Sequence, residues 1–148
     1  MISPRYLVAY LRGTAVITDA VGTVTIGDDD LLPIVSEIDA PLTSVMPRRA
    51  IQVTSAGGPA VDGRTNTLTV GRQDVKCYGR TIGEAWALHD VVYNHLRYSG
   101  QKTMSDRQVI ATRPTAGGMQ DREKDTDWPY VWMEYTITLN EAALERGA

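Results

Sequence analysis

The sequence predicts an α+β fold, a single domain in which an antiparallel or mixed sheet of about four main strands carries helices on one face. Three observations point there. Segments 50–55, 65–78, 108–115 and 130–139 read as strands, and the last alternates throughout, with Val131, Met133, Tyr135, Ile137 and Leu139 on one side and Tyr130, Trp132, Glu134, Thr136 and Thr138 on the other. That period of two is the pattern of a sheet with one buried face. After Thr81 the period changes: Ala85, Leu88, Val92 and Leu96 form a single stripe at helical spacing. The length of 148 residues suits one hydrophobic core.

In chain order, Ser3-Pro4 opens a helix, because serine can cap free amides and proline at the first helical position has no amide to leave unpaired. Tyr6, Leu7, Tyr10 and Leu11 share its inner face and Gly13 ends it. A second short helix over 14–21 is closed by Gly22, and Val24 and Ile26 then alternate with Thr23 and Thr25 as a short strand. Residues 27–47, with prolines at 33, 41 and 47 and no clean period, read as a long surface connection.

The strand over 50–55 stops at Ala56-Gly57-Gly58-Pro59, and Asp62-Gly63 turns the chain into the returning strand 65–78. In that strand Leu68 and Val70 are even-numbered while Val75 and Cys77 are odd, so a β-bulge at Gly71 is expected to bring both halves to one face. Thr81 and Glu84 are spaced as a capping box, in which the threonine hydroxyl accepts from the amide of residue 84 and the glutamate accepts from the amide of residue 81. The glycine-rich, charged stretch 116–127 reads as a loop before the final strand.

Composition narrows the function. Apolar residues at 43% and charged residues at 22% indicate an ordinary soluble globular domain. A net charge of −3 with scattered basic residues, Arg48-Arg49 being the densest pair, argues against a broad nucleic-acid-binding face. One cysteine cannot form an internal disulfide, and the opening residues lack a basic-then-apolar leader, so a reducing cytosolic setting is expected. Apolar runs long enough to span a bilayer are absent from the sequence.

The residues that could do chemistry do not gather. Cys77 is in register with Val75 on a strand, four residues before the helix cap, where a free cysteine acts as a small buried hydrophobe rather than a helix-activated nucleophile. His89 and His95 flank the apolar stripe of their helix and are six apart, so they project about 120° from one another and cannot chelate one metal. Asp90 points away from His89's side, which rules the two out as a base and its orienter. The aspartates at 28–30 lack calcium-loop spacing, and the glycine runs match neither a P-loop nor a dinucleotide turn. No catalytic residue, metal ligand or cofactor site is therefore expected. Trp86, Trp128 and Trp132 suggest contact surface instead, and Trp132, on the polar side of the last strand, fits either a second helix layer or an oligomer interface.

Three pieces carry a family resemblance: Val75-Lys-Cys-Tyr-Gly79, the Thr81-Ile-Gly-Glu-Ala-Trp86 that follows it, and Asp127-Trp-Pro-Tyr130 before the last strand. With the order of elements over residues 4–139, they resemble the tail terminator, or tail completion, proteins of long-tailed bacteriophages. The resemblance implies a non-enzymatic ring, commonly of six subunits, that caps the tail tube, ends its polymerisation and offers the docking surface for the head-neck complex. It implies a homo-oligomer partnered by the tail-tube protein and a neck or head-completion protein, assembled in the host cytoplasm and residing in the virion tail. DNA would pass through the ring without sequence-specific contact, and no membrane or cofactor would be involved. The expected contact segments are the connection 28–47 and the loops 57–64 and 116–127, with Arg48, Arg49, Arg64, Arg122, Trp128 and Trp132 as interaction residues. The competing readings are another head-tail connector or neck protein, and a Cys77- and His89-dependent enzyme or small-ligand module.

Overall fold

The computed structural model describes residues 4–26, 29–36, 46–57, 68–97, 102–104 and 107–140; the expected cap at Ser3, the turn at Asp62-Gly63 and Arg64 lie outside them. Along the chain run α1 (Pro4–Arg12), α2 (Ala15–Val21), β1 (Val24–Ile26), β2 (Asp29–Leu31), β3 (Ile34–Ser36), β4 (Ala50–Gly57), β5 (Leu68–Tyr78), α3 (Ile82–Leu96), β6 (Lys102–Met104), β7 (Arg107–Arg122) and β8 (Pro129–Asn140). Six strands form one sheet in the order β3-β4-β5-β8-β7-β6, while β1 and β2 pair separately. The four long strands are those read from the sequence. Because β3 runs parallel to β4 and every other pair is antiparallel, the sheet is mixed and the fold is α+β, as predicted.

The three helices lie on one face. Leu7, Val8 and Leu11 of α1, Ile17 and Val21 of α2, and Leu88, Val92 and Leu96 of α3 pack into one cluster with Ile34, Ile51, Val53, Val75, Cys77, Tyr135 and Ile137 of the sheet. Polar bonds fix the layer at its margins. The Arg12 guanidinium donates to the carbonyls of Ile34 at 2.8 Å and Leu32 at 2.9 Å, tying the end of α1 to β3. Thr112 Oγ1 on β7 donates to Leu96 O at 2.9 Å, at the other end of the layer. The Thr112 bond satisfies a carbonyl that the end of α3 leaves open.

Four local expectations change. The connection 27–47 is not all surface, since 34–36 is a strand whose three residues are buried; the short apolar run Ile34-Val35 between prolines carries too few residues to show a period. The bulge is not at Gly71. The register between β5 and β8 is unbroken from Leu68 to Tyr78, and the extra residue sits in the partner strand β4, between Ser55 and Gly57. Gly71 and Gln73 are the buried positions that continue the face of Val75 and Cys77, so a glycine and a polar residue concealed the alternation.

The third change concerns 116–127, where β7 continues to Arg122 and only 123–128 turns. β7 carries three register shifts against β8, at Val109/Ala111, Pro114/Ala116 and Gly117/Met119. Gly117 and Gly118 supply the left-handed backbone that the last of these uses, with φ of 113° and 71°. The fourth is in the capping box. Thr81 Oγ1 accepts from the Glu84 amide at 3.2 Å as expected, but the Glu84 carboxylate accepts from Arg80 N, at 3.1 Å, instead of from Thr81 N.

Between β5 and α3 the chain turns within three residues, and Gly79 makes this possible. A Cβ there would lie 2.6 Å from both Ala85 N and Glu84 Cβ. Gly83, one turn on, faces open space, its nearest neighbour being Thr81 Oγ1 at 3.8 Å. Gly79→Ala should therefore destabilise the fold by about 1–3 kcal/mol, as overpacking against backbone does, whereas Gly83→Ala should stabilise it by up to about 1 kcal/mol through helix propensity. Urea unfolding of the two variants checks the opposite signs; equal shifts would contradict this account of the turn.

Candidate functional site

Cys77 and His89 occupy the helix-covered side. Cys77 is fully buried, and burial pushes its thiol well above the ordinary range, against thiolate formation. His89 is buried between the rings of Trp86 and Tyr93, with centroids 5.5 and 5.9 Å away. Burial lowers its pKa, and the Asp90 charge opposes that shift. Among the described residues no group of three or more His, Cys, Asp or Glu side chains is placed to hold a metal ion. No helix among them is long and apolar enough to cross a membrane.

The other face of the sheet carries a different assembly. None of the described helices contributes to its apolar cluster, which joins Val35, Ala50, Tyr78 and Tyr130, with Met46, Trp128 and Trp132 packed around them. Of the two explanations for Trp132, a helix layer is thus not supplied by α1, α2 or α3. Registers place the side chains of this face in rows across the strands. The row nearest the hairpin turn is Ala50, Tyr78, Tyr130 and Asp121; the next is Gln52, Lys76, Trp132 and Met119; the third contains Thr54, Asp74 and Glu134.

Polar bonds stiffen the first two rows. The Tyr78 and Tyr130 rings sit 5.4 Å apart, and Lys76 Nζ stands 4.9 Å over the Tyr130 ring. The Tyr78 hydroxyl donates to Glu123 Oε1 at 2.5 Å, and Lys76 approaches the same oxygen at 3.8 Å. Burial first, then the Glu123 hydrogen bond, raises the Tyr78 pKa, so the phenol keeps its proton and acts as a donor. Aromatic contact, a cation over a ring and a charge-assisted hydrogen bond here form one connected group.

The third row is electrostatically incomplete. Glu134 takes a hydrogen bond from Thr115 Oγ1 at 3.1 Å and faces Arg72 at 3.8 Å. Its cross-strand neighbour Asp74 has one buried carboxylate oxygen without a hydrogen-bond partner among the described residues. Burial and the adjacent Glu134 raise the Asp74 pKa, with Lys76 and Arg72 opposing. A cation brought to this row would relieve the like-charge contact.

The residues read from the sequence as contacts are dispersed. Trp128 and Trp132 both pack against the apolar cluster of the open face. Arg122 is at the hairpin turn, where its guanidinium donates to Asp127 O at 3.0 Å and pairs with the Asp127 carboxylate at 3.6 Å. Arg48 is turned inward: its guanidinium donates to Val21 O at 2.8 Å, Gly22 O at 3.2 Å and Thr23 O at 3.3 Å, closing the carbonyl end of α2. Arg49 beside it is exposed. Met119, Asp74 and Glu134 were missed as surface residues. The Asp74–Glu134 juxtaposition needs the strand register, and Met119 lies past all three bulges of β7.

Two measurements test the buried groups. Native protein should react with a thiol reagent only at the rate of unfolding, and Cys77→Ala should cost on the order of 1 kcal/mol, the scale of a small buried deletion. Fast native-state labelling would contradict the burial. For His89 the pKa is lowered in the folded state, so the unfolded chain binds the proton more tightly and stability must fall as pH drops below the ordinary value of 6.5. Urea unfolding between pH 8 and pH 5 should show a loss in the native protein that is smaller in His89→Gln; equal pH dependence would refute the assignment.

No known family model matches this chain, and no curated protein is measurably similar to it.

Proposed function

We propose that the chain is a structural protein of a bacteriophage tail, a ring-forming terminator that caps the tail tube, ends its polymerisation and receives the neck. The observation that carries this reading is the sheet face that none of the described helices covers, with Tyr78, Tyr130, Trp128, Trp132 and Met119 upon it. Aromatic and methionine side chains on a rigid sheet are what interface cores are enriched in. The resemblance of its Val75–Gly79, Thr81–Trp86 and Asp127–Tyr130 pieces to terminator proteins supplies the rest of the reading. In it the partners are further copies of the chain, the tail-tube protein and a neck or head-completion protein, and the place of action is the virion tail after assembly in the host cytoplasm. Cys77 and His89 act as packing residues, which fits a protein that is not an enzyme.

Size-exclusion chromatography with light scattering, alone and with tail-tube protein, should give a closed ring of several copies, and electron microscopy should place it on tube ends. Added during tube polymerisation, the protein should shorten tubes in proportion to its concentration. A ring that binds neck protein but leaves tube length unchanged would point to another connector of the head-tail joint. A strict monomer that neither caps tubes nor binds neck protein would overturn the proposal.

A further inference from the structure

Two large apolar side chains stand out as exposed among the described residues, Val16 at 46% and Met119 at 56%. They lie on different sides of the sheet. Met119 projects from the open face opposite Trp132, and Glu134 is two residues further along β8, about 7 Å away at the strand rise. Beside Glu134 is Asp74 with its unpartnered oxygen. This patch thus combines an exposed, flexible apolar side chain with a pair of carboxylates.

The helix side offers the converse. Between α2 and α3 runs a groove of about 230 Å³, lined by Ala20, Arg49, Glu84, Ala87, Leu88 and Val91. Val16 precedes Ala20 by one turn on α2. The Glu84 carboxylate is engaged with the Arg80 amide, while Arg49 makes no ion pair among the described residues. Arg49 and Arg80 both act on Arg48 as like charges, so this corner is locally positive. An apolar groove with an available cation faces outward on one side, and a projecting methionine with an incompletely neutralised carboxylate pair faces outward on the other.

We infer that these two patches are the halves of one contact between copies of this chain: Met119 of one copy enters the α2–α3 groove of the next, and Arg49 meets the Asp74–Glu134 pair. The contact rests on the ring reading above and names its surfaces. It is heterologous, joining unlike faces, so repetition either closes a ring or extends a filament, and a two-copy end product is not its natural stopping point. Methionine suits the role because an unbranched thioether adapts to an irregular groove. The cation adds to the partial neutralisation that Arg72 and Lys76 already give the carboxylate pair.

The test uses two exposed positions, so that folding is preserved: Met119→Lys spoils the sheet patch, and Ala87→Arg fills the groove and adds a like charge beside Arg49. Each variant alone should remain single under light scattering where the native chain assembles, a loss of at least about tenfold in association, equivalent to about 1.4 kcal/mol. An equimolar mixture should form a two-copy species and stop there, because each variant keeps one intact half. In parallel, Met119→Cys mixed with Ala87→Cys under a mild oxidant such as oxidised glutathione should yield a disulfide-linked pair, which the buried Cys77 cannot compete for; this readout adds no charge to either patch and holds even if a charged variant misfolds. Variants that assemble like the native chain, together with failure of the cysteine pair to link, would overturn this contact and leave the ring reading standing. A native chain that stays single with and without tail-tube protein would overturn both.

Discussion

The unbroken pairing of β5 with β8 is the constraint to which the rest of the molecule is fitted. From Leu68↔Asn140 to Tyr78↔Tyr130 no residue is inserted on either strand. A period of two cannot slip without turning every side chain to the other face. The pair therefore fixes Val75, Cys77, Val131, Tyr135 and Ile137 toward the helices, and Lys76, Tyr78, Tyr130, Trp132, Asp74 and Glu134 away from them. The irregularities are displaced to its neighbours, one in β4 and three in β7. Bulges bend a strand and increase its twist, so β4 and β7 can adjust their curvature to a central ladder whose register is unbroken. α3 is anchored to the same ladder, since β5 ends at Tyr78 and Gly79 lets the helix start against the strand end.

The two faces of this ladder are stabilised differently. On the helix side the contribution is apolar burial, gathered from three helices and four strands into one cluster, and such burial is worth about 25 cal/mol per Å² removed from water. On the open side the cluster is small, and its order comes from directional contacts among Tyr78, Tyr130, Lys76 and Glu123. These contacts also fix the hairpin turn, because Glu123 belongs to it and its amide donates to Trp128 O at 2.9 Å. The turn is thereby held from the open face as well as through Arg122 and Asp127.

The sequence made legible what repeats and concealed what does not. β8 alternates without interruption, and α3 carries a clean stripe with a cap, so both were readable from residue type alone. β7 was not. Its core-side positions, taken from the partners of Ile137, Tyr135, Met133 and Val131, are Thr112, Pro114, Gly117 and Gln120, at spacings of two, three and three. No period of two survives three insertions, and the glycines that permit the last one read as a loop. β5 failed in the opposite sense: a glycine and a glutamine on its buried side made a regular strand look bulged. The candidate surface inherited both errors, because Met119 could not be placed without the bulges, nor Asp74 beside Glu134 without the register. Arg48 shows a further limit. Two adjacent arginines look alike in sequence, yet one caps α2 through three carbonyls and its neighbour is left at the groove.

For an assembling protein, the proposed function depends on how little must be ordered when copies meet. Immobilising a rotamer-rich side chain at an interface costs about 0.5–1.5 kcal/mol. Rows built on a central β-ladder avoid most of that cost, since Trp132, Glu134 and Asp74 are already half-buried, Trp132 packs on the apolar cluster and Glu134 is hydrogen-bonded before any contact forms. Met119 is the exception, and its freedom is confined to one unbranched side chain. Opposite it, Arg49 follows Arg48, whose bonds to the end of α2 hold the main chain where β4 begins, so the cation is presented from a fixed backbone. A sheet backed by a helix layer, with unlike patches on its two sides, would also transmit orientation: in the proposed contact the angle between copies would be set by the sheet and the helix layer together. Closure of the proposed ring would require such a fixed angle, and the continuous β5–β8 register is the feature of this fold suited to supply it.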